Sequence, residues 1–232
     1  MSEVILMGVR FGVFGKLPAL GDFLRMELPA GFIDPWDRWL QEGILAAKAA
    51  LAERWQDCYF SAPIWRFNLS AGLVGAAPVM GVMMSSVDRV GRQFPLTLAA
   101  PMPDGNAALL DHFLSVPVFE ALDEIALAAL EDGMTRDDLR VRLDGVQAPA
   151  RPNNLSIRHA PGGMVVTGAS PGNLVPELAA GLTADAFRRP SIWSALGEDG
   201  MRMMVCEGLP AGGQMTGLFD MDAQIWKNEE ME

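Results

Sequence analysis

Cysteine is scarce in this sequence. The chain of 232 residues has only Cys58 and Cys206, which lie far apart and in no spacing typical of a metal or redox site. Low cysteine usage is typical of a reducing compartment, and the first residues, Met1-Ser2-Glu3, lack the basic segment of a signal peptide. We therefore expect two reduced, packed thiols and a cytoplasmic protein.

Concentrated positive charge is also missing. The formal net charge is -11, and the chain contains no run of Lys or Arg. An acidic surface repels phosphate backbones and anionic lipid headgroups. The composition therefore argues against nucleic acids and anionic membranes as partners.

No uninterrupted apolar run is long enough to predict a membrane span. Residues 67–87 carry no charge over a length that could cross a bilayer. Asn, Ser, Gly and Pro residues interrupt this segment, however, and favour two short strands that turn back on themselves. We predict a buried hairpin there and no membrane insertion.

Complete residue patterns for a metal site or for nucleophilic catalysis are missing as well. The two histidines, His112 and His159, have no Cys, Asp or Glu at ligand spacing, and Ser61, Ser85 and Ser86 have no sequence cue for a base partner. We therefore expect a protein that is not an enzyme and that uses no metal or other cofactor.

The first hundred residues predict a helix packed on an antiparallel sheet. Residues 4–14 are apolar and β-branched enough for a strand, and a loop follows. Asp34 is a good N-cap for a helix over residues 35–55, where apolar residues recur at helical spacing. Three further strand candidates, residues 63–69, 79–84 and 93–99, are joined by connections too short for crossover helices, which indicates antiparallel neighbours.

The remaining residues predict more helices and strands. The helix candidates are residues 106–131 with a break at Pro117, 135–143 with a capping box of Thr135 and Asp138, and 174–187. The strand candidates are residues 155–158 and 164–167 as a hairpin, and residues 191–196 and 201–206. Residues 101–105 form either an internal boundary or a loop. We expect residues 1–100 and 101–232 to form one compact α/β domain of the α+β type.

The Gly15-Lys16 pair invites comparison with a phosphate-binding loop. A Walker loop needs a glycine five positions before Gly15, where this chain has Arg10, and Ser or Thr after Lys16, where it has Leu17. Pro18 also prevents a helix from starting cleanly there. An ordinary turn is the favoured interpretation, and nucleotide binding with Lys16 stays open as the alternative.

Four more charged residues in loops are candidate site residues: Asp22, Asp88, Arg89 and Arg92. Carboxylates paired with arginines can serve acid–base chemistry or bind anions, but they more often hold loops together as ion pairs. Asp88 can hydrogen-bond its own backbone, while Arg89 and Arg92 either reach outward or pair with Asp22 or Asp37. The alternative is a small-ligand or nucleotide-binding enzyme that uses these residues with the Gly15-Lys16 loop.

Several ordered segments together resemble a known family. They are Gly12-Val13-Phe14-Gly15-Lys16-Leu17-Pro18, Gly21-Asp22-Phe23, Leu28-Pro29, Trp36-Asp37-Arg38-Trp39-Leu40-Gln41, Ala62-Pro63-Ile64-Trp65-Arg66-Phe67 and Ser86-Val87-Asp88-Arg89-Val90-Gly91-Arg92-Gln93-Phe94-Pro95-Leu96-Thr97. This constellation is similar to the TagF family, also called ImpM, which is associated with the bacterial type VI secretion system. The match is densest over residues 9–99.

The resemblance implies a cytoplasmic accessory protein that restrains the secretion apparatus after translation. It implies action beside a threonine phosphorylation pathway, with a forkhead-associated scaffold protein as the expected partner. The implied fold is an α/β sandwich similar to longin domains, and the family supplies no catalytic residues to carry over. A homo-oligomer stays open.

Overall fold

The computed structural model of the chain describes residues 9–102, 108–131, 133–147, 156–161, 163–167, 171–197 and 200–227. The strands are β1 (Gly12–Gly15), β2 (Leu24–Met26), β3 (Trp65–Leu69), β4 (Val79–Met84), β5 (Leu96–Pro101), β6 (Ser156–Ala160), β7 (Gly163–Thr167), β8 (Pro190–Gly197) and β9 (Gly200–Glu207). The helices are α1 (Ala30–Leu51), α2 (Trp55–Ser61), α3 (Ala108–Leu114), α4 (Val116–Ala128), α5 (Arg136–Asp144), α6 (Pro171–Ala186) and α7 (Gly213–Gly217).

Seven strands form one antiparallel sheet in the order β2-β1-β5-β4-β3-β8-β9. The connections between β3 and β4 and between β4 and β5 contain no helix, as antiparallel pairing allows. Strands β6 and β7 form a separate hairpin. The predicted α+β fold, a largely antiparallel sheet with packed helices, is confirmed.

Helices cover both faces of the sheet because side chains alternate along each strand. On one face α1 buries a stripe at helical spacing, Trp36, Leu40, Ile44, Ala47 and Leu51, against inward-facing residues of the sheet. The other face packs against α4 and α5, while α3 lies over β3 and β8. The chain thus forms three layers with the sheet in the middle.

Helix α1 begins earlier than the sequence predicts. It starts at Ala30, so Asp34 is not its N-cap, and Pro35 lies within its second turn. Phe32 and Ile33 are both buried in the core. Their packing stabilises the additional turn at the N-terminus, although Pro35 removes one helical hydrogen bond.

The same helix also ends earlier than predicted. Ala52 has φ of 48°, a left-handed value that interrupts the α-helix after Leu51. A short 3-10 turn over residues 52–54 follows, and α2 then starts at Trp55. The predicted helix over residues 35–55 therefore ends at Leu51, and the separate helix α2 was not predicted.

The later residues follow the sequence prediction more closely. Pro117 separates α3 from α4, and Thr135 and Asp138 form the expected capping box of α5. The hairpin β6–β7 and the pair β8–β9 are also confirmed. The short strand β2 was not predicted. Residues 4–8 of the predicted first strand and residues 103–105 of the proposed boundary lie outside the described residues.

In the described part of the chain, no helix combines the length and the apolar character that a membrane crossing needs. Residues 67–87, the uncharged segment, contribute to the antiparallel pair β3 and β4, and the predicted buried hairpin is confirmed.

Trp193 of β8 connects the two halves of the sequence. Its indole is fully buried, 5.2 Å from the Phe67 ring and 6.1 Å from the Trp36 ring between centroids. Replacing it with alanine leaves a large cavity, so we expect Trp193→Ala to lower the free energy of unfolding by about 3–5 kcal/mol. Urea unfolding followed by circular dichroism measures this loss.

Leu196→Ala is the matched control, because Leu196 lies on the same strand and is 69% exposed. We expect it to change the free energy of unfolding by less than about 0.5 kcal/mol. We also expect one cooperative transition for the wild-type chain. Separate unfolding transitions for the two halves, or a loss below about 1 kcal/mol in Trp193→Ala, would contradict a single core.

Candidate functional site

Two neighbouring loops contain all five predicted site residues. The first loop, residues 16–23, joins β1 to β2, and the second loop, residues 85–95, joins β4 to β5. Because β1 and β5 are antiparallel neighbours, the end of β1 and the start of β5 lie side by side. We call these two segments the paired loops.

The carboxylate of Asp88 is the centre of the paired loops. Its side chain is closed off from solvent. It accepts hydrogen bonds from Lys16 Nζ at 3.1 Å and from Arg92 Nε at 2.6 Å. The backbone N–H groups of Val90 and Arg92 donate to it at 3.1 and 2.9 Å. Two cations and two amides thus compensate one buried negative charge.

These contacts determine the protonation state of Asp88. Burial alone would raise the pKa of its carboxyl group, because a charged group loses water there. The hydrogen bonds from the Arg92 backbone, Lys16, the Arg92 side chain and the Val90 backbone outweigh burial, and the pKa lies well below its ordinary value. Asp88 is therefore ionised at neutral pH.

The second loop is also bound directly to the first. Arg92 donates from Nη2 to the carbonyl oxygen of Gly21 at 2.9 Å. The backbone N–H of Arg89 donates to the carbonyl oxygen of Leu20 at 3.0 Å. A single rigid unit results, since each loop supplies donors or acceptors to the other.

The predicted site residues therefore divide into two groups. The structure brings Lys16, Asp88 and Arg92 together, and Asp88, not Asp22 or Asp37, is the carboxylate that binds Arg92. Asp22 is exposed and has no hydrogen bond or ion pair with another described residue. Arg89 contacts the first loop through its backbone, and its side chain is exposed.

The position of Lys16 bears on the phosphate-loop alternative. Lys16 is 7% exposed, and its Nζ donates to Asp88 and to the carbonyl oxygen of Arg92 at 3.4 Å. The same ammonium group lies 5.2 Å from the centroid of the Phe23 ring. Its charge is already compensated by the protein, which favours a loop-organising role over phosphate binding.

Tyr59 of α2 anchors the second loop and was missed by sequence reasoning. Its hydroxyl donates to the carbonyl oxygen of Ser86 at 2.7 Å and accepts from the Ser86 N–H at 3.1 Å. Burial raises the pKa of the Tyr59 phenol above its ordinary value, so it stays protonated. Ser86 Oγ in turn donates to the carbonyl oxygen of Lys16 at 2.8 Å. The only signal in the sequence was that the chain has a single tyrosine.

An apolar groove of about 440 Å³ opens beside the paired loops. Its lining residues come from the paired loops, from α2 and the segment between α2 and β3, from the end of β4, and from the end of α4 and the turn after it: Pro18, Phe60, Ala62, Pro63, Ile64, Met84, Ser85, Ser86, Val87, Leu127 and Leu130. Phe60 and Leu127 are each 56% exposed. Clustered apolar side chains that remain exposed are typical of interaction surfaces.

A buried polar trio lies under α3, away from the groove. His112 Nε2 is 2.7 Å from Ser194 Oγ, and His112 Nδ1 is 2.9 Å from Asn68 Oδ1. This order of groups is similar to a nucleophile, a base and an orienting residue. All three residues are only 3–4% exposed, and burial, with the charge of Arg66, lowers the pKa of His112 to about 3.

His112 is thus a weak base, and its burial keeps it out of reach of substrates. A structural role is therefore favoured for this trio, whose hydrogen bonds connect α3 to β3 and β8. His159 lies in β6. Within the described ranges, no group of three or more His, Cys, Asp or Glu residues is placed to hold a metal ion.

The family model for the TagF N-terminal domain, described as type VI secretion system-associated, matches residues 12–146, more than half of the chain. The chain belongs to the TagF family. The matched region contains the paired loops and every residue that lines the apolar groove. It ends before α6, β8 and β9.

The chain is also similar to a solved structure over most of its length. The crystal structure of PA0076 from Pseudomonas aeruginosa PAO1 is 29% identical to the chain in sequence and superimposes with a TM-score of 0.76. The match covers 92% of this chain and 96% of PA0076, so it extends beyond the residues that the TagF model matches. No curated protein gives a significant match.

Replacing Asp88 tests the role of its charge. We expect Asp88→Asn to lower the denaturation midpoint at pH 7, because the neutral amide leaves Lys16 and Arg92 without their carboxylate. The folded-state pKa of Asp88 is depressed, so its contribution is fully present above the unfolded pKa of about 4 and is lost as pH falls further. Wild-type stability should thus fall more steeply than that of Asp88→Asn below about pH 5.

Asp22→Asn is the matched control, since Asp22 lies in the first loop, is exposed and has no partner among the described residues. Urea titrations of the three proteins between about pH 3 and pH 7 measure the effect. Equal midpoints and equal pH slopes for Asp88→Asn and Asp22→Asn would show that the buried charge does not organise the loops.

Proposed function

We propose that this TagF-family protein is a non-enzymatic cytoplasmic accessory protein of the type VI secretion system. In this proposal it restrains the apparatus after translation by binding a forkhead-associated scaffold protein. The observation that carries the proposal is the exposed apolar groove beside the paired loops. The family assignment supplies the cellular process.

The groove has the composition of a protein-binding surface. Phe60 offers an aromatic side chain that is 56% exposed, and aromatic anchors contribute much of the affinity in protein interfaces. Leu127 and Leu130 extend the apolar surface from Phe60 along the end of α4. A partner that covers these side chains would remove them from water.

The groove also has a fixed wall. Pro18 and Val87 line it from the two paired loops, and the Asp88 contacts hold those loops together. A surface that is ordered before binding avoids part of the entropy cost of association. In this arrangement Asp88, Lys16 and Arg92 support binding by fixing the wall of the groove, and they need not contact the partner themselves.

An enzymatic role has less support from the same residues. Lys16 and Asp88 neutralise one another in the interior and leave no free pair for substrate chemistry. The Arg92 side chain is bound to Asp88 and to the carbonyl oxygen of Gly21, whereas the Arg89 side chain is exposed and available to a partner. Binding therefore accounts for the residues better than catalysis does.

Isothermal titration calorimetry with a purified forkhead-associated scaffold from the host tests the proposed surface. We expect Phe60→Asp to weaken binding at least about tenfold, because it places a charge in the apolar groove. Leu45→Asp on α1 is the control, since Leu45 is 72% exposed and does not line the groove. Equal affinities of the two variants, or no binding by the wild-type protein, would refute this surface.

A cellular assay tests regulation separately from binding. We expect overproduction of the wild-type protein to suppress secretion-system firing and overproduction of Phe60→Asp at the same level to suppress it much less. Firing is measured as secretion of a tube protein into the medium. Wild-type firing after both deletion and overproduction of the gene would contradict a restraining role.

A further inference from the structure

The link between α1 and α2 is strained. Ala52 has φ of 48° and ψ of -118°, a combination that glycine adopts readily and that a Cβ atom opposes. A residue other than glycine keeps such a conformation only where the surrounding structure imposes it. The contacts that hold α2 in place therefore also hold Ala52 in this conformation.

The segment after β9, residues 208–227, holds α2 from one side, and we call it the C-terminal segment. Arg54, in the turn that leads into α2, donates from Nη2 to Asp220 Oδ2. The Asp220 side chain is only 7% exposed, whereas the Arg54 side chain is 59% exposed. The neighbouring Phe219 ring lies 5.0 Å from the Trp55 ring and 5.7 Å from the Tyr59 ring between centroids. An ion pair and an aromatic cluster thus bind α2 to the C-terminal segment.

The C-terminal segment is fixed by contacts that do not involve α2. Trp65 of β3 donates from Nε1 to the carbonyl oxygen of Leu218 at 2.7 Å. Trp39 of α1 donates from Nε1 to the carbonyl oxygen of Pro210 at 2.9 Å. Because β3 and α1 position this segment, it offers α2 a fixed surface to pack against.

Helix α2 forms one wall of the apolar groove. Phe60 lines the groove, while the Tyr59 hydroxyl donates to the Ser86 carbonyl oxygen at 2.7 Å and accepts from the Ser86 N–H at 3.1 Å. Trp55 Nε1 donates to Gln93 Oε1 at 2.7 Å. Displacement of α2 would therefore remove Phe60 from the groove and break these three hydrogen bonds to the second paired loop.

We propose that α2 is a hinged wall of the groove, which pivots at Ala52 and is held closed by the C-terminal segment through Phe219 and Asp220. This inference rests on the proposed function, because it takes the groove as the binding surface. The strain at Ala52 belongs to the closed form, so loss of the C-terminal contacts lets the link relax and α2 move away. The C-terminal segment lies outside the residues that the TagF model matches, yet it controls a surface within them.

The balance between the closed and open forms sets the affinity for a partner. A partner that needs Phe60 in the groove binds only the closed form, so its apparent affinity falls with the closed fraction. Stronger contacts between α2 and the C-terminal segment thus favour binding, and weaker contacts disfavour it.

Amide hydrogen exchange of the protein alone, followed residue by residue by NMR, tests the hinge. We expect Arg54→Gln to speed exchange of the α2 amides and of the Ser86 amide at least about tenfold, because buried Asp220 loses its guanidinium partner. The amides of α1 and β4 should exchange as in the wild type. Arg38→Gln on α1 is the matched control, since Arg38 is exposed and forms no ion pair with a described residue.

Ala52→Gly tests the strain, with an effect of the opposite sign. Glycine adopts this φ and ψ without a steric penalty, so we expect exchange of the α2 and Ser86 amides to slow at least about threefold. Ala50→Gly is the matched control. Ala50 is exposed in the last turn of α1, where glycine weakens the helix, so this change should not slow exchange.

Circular dichroism verifies that each variant is folded. Exchange in folded Arg54→Gln that matches the wild type, or that rises equally in α1, overturns the proposal, because α2 would then not move as a separate unit. Faster α2 exchange in Ala52→Gly also overturns it, because Ala52 would then carry no strain. No partner takes part in these measurements, so a scaffold that fails to bind would count against the proposed function and not against the hinge.

Discussion

A carboxylate that loses its water must find charge compensation and hydrogen bonds within the protein, and Asp88 imposes this requirement on the paired loops. Lys16 comes from the first loop, while Arg92 and two backbone amides come from the second. Neither loop can move away without leaving a buried charge unpaired. The apolar groove depends on this constraint, because Pro18 of the first loop and Val87 of the second loop form part of its wall.

Hydrogen bonds from tryptophan side chains stabilise the sheet and helices that support the paired loops. All six tryptophans donate their indole N–H: Trp36 to Thr97, Trp39 to Pro210, Trp55 to Gln93, Trp65 to Leu218, Trp193 to Ser191 and Trp226 to Gly217. Each indole therefore combines apolar burial with a specific polar contact. Several of these bonds join residues far apart in sequence, so they connect α1, α2 and the C-terminal segment to one sheet. A rigid sheet with fixed helices is a suitable support for a preformed binding surface.

Local patterns in the sequence predicted most of the fold. The breaker Pro117, the capping box of Thr135 and Asp138 and the apolar stripe of α1 each act over one or two turns, and the structure contains all three. The predicted start of α1 was wrong, because the burial of Phe32 and Ile33 outweighs the preference of Asp34 for the N-cap position. At the site, sequence reasoning named Asp88 and Arg92 but not Tyr59 or Phe60, because contacts between α2 and a loop about 27 residues away depend on packing that no local pattern records.

The central claim is that the paired loops and the adjoining groove form the surface that a regulatory partner covers. Amide hydrogen exchange of the wild-type chain, alone and bound to a forkhead-associated scaffold, tests it most directly. We predict slower exchange on binding in residues 59–64, 84–92 and 126–131, with little change on the exposed face of α1. Slower exchange confined to α6 and the β6–β7 hairpin, with the paired loops unaffected, would contradict the claim.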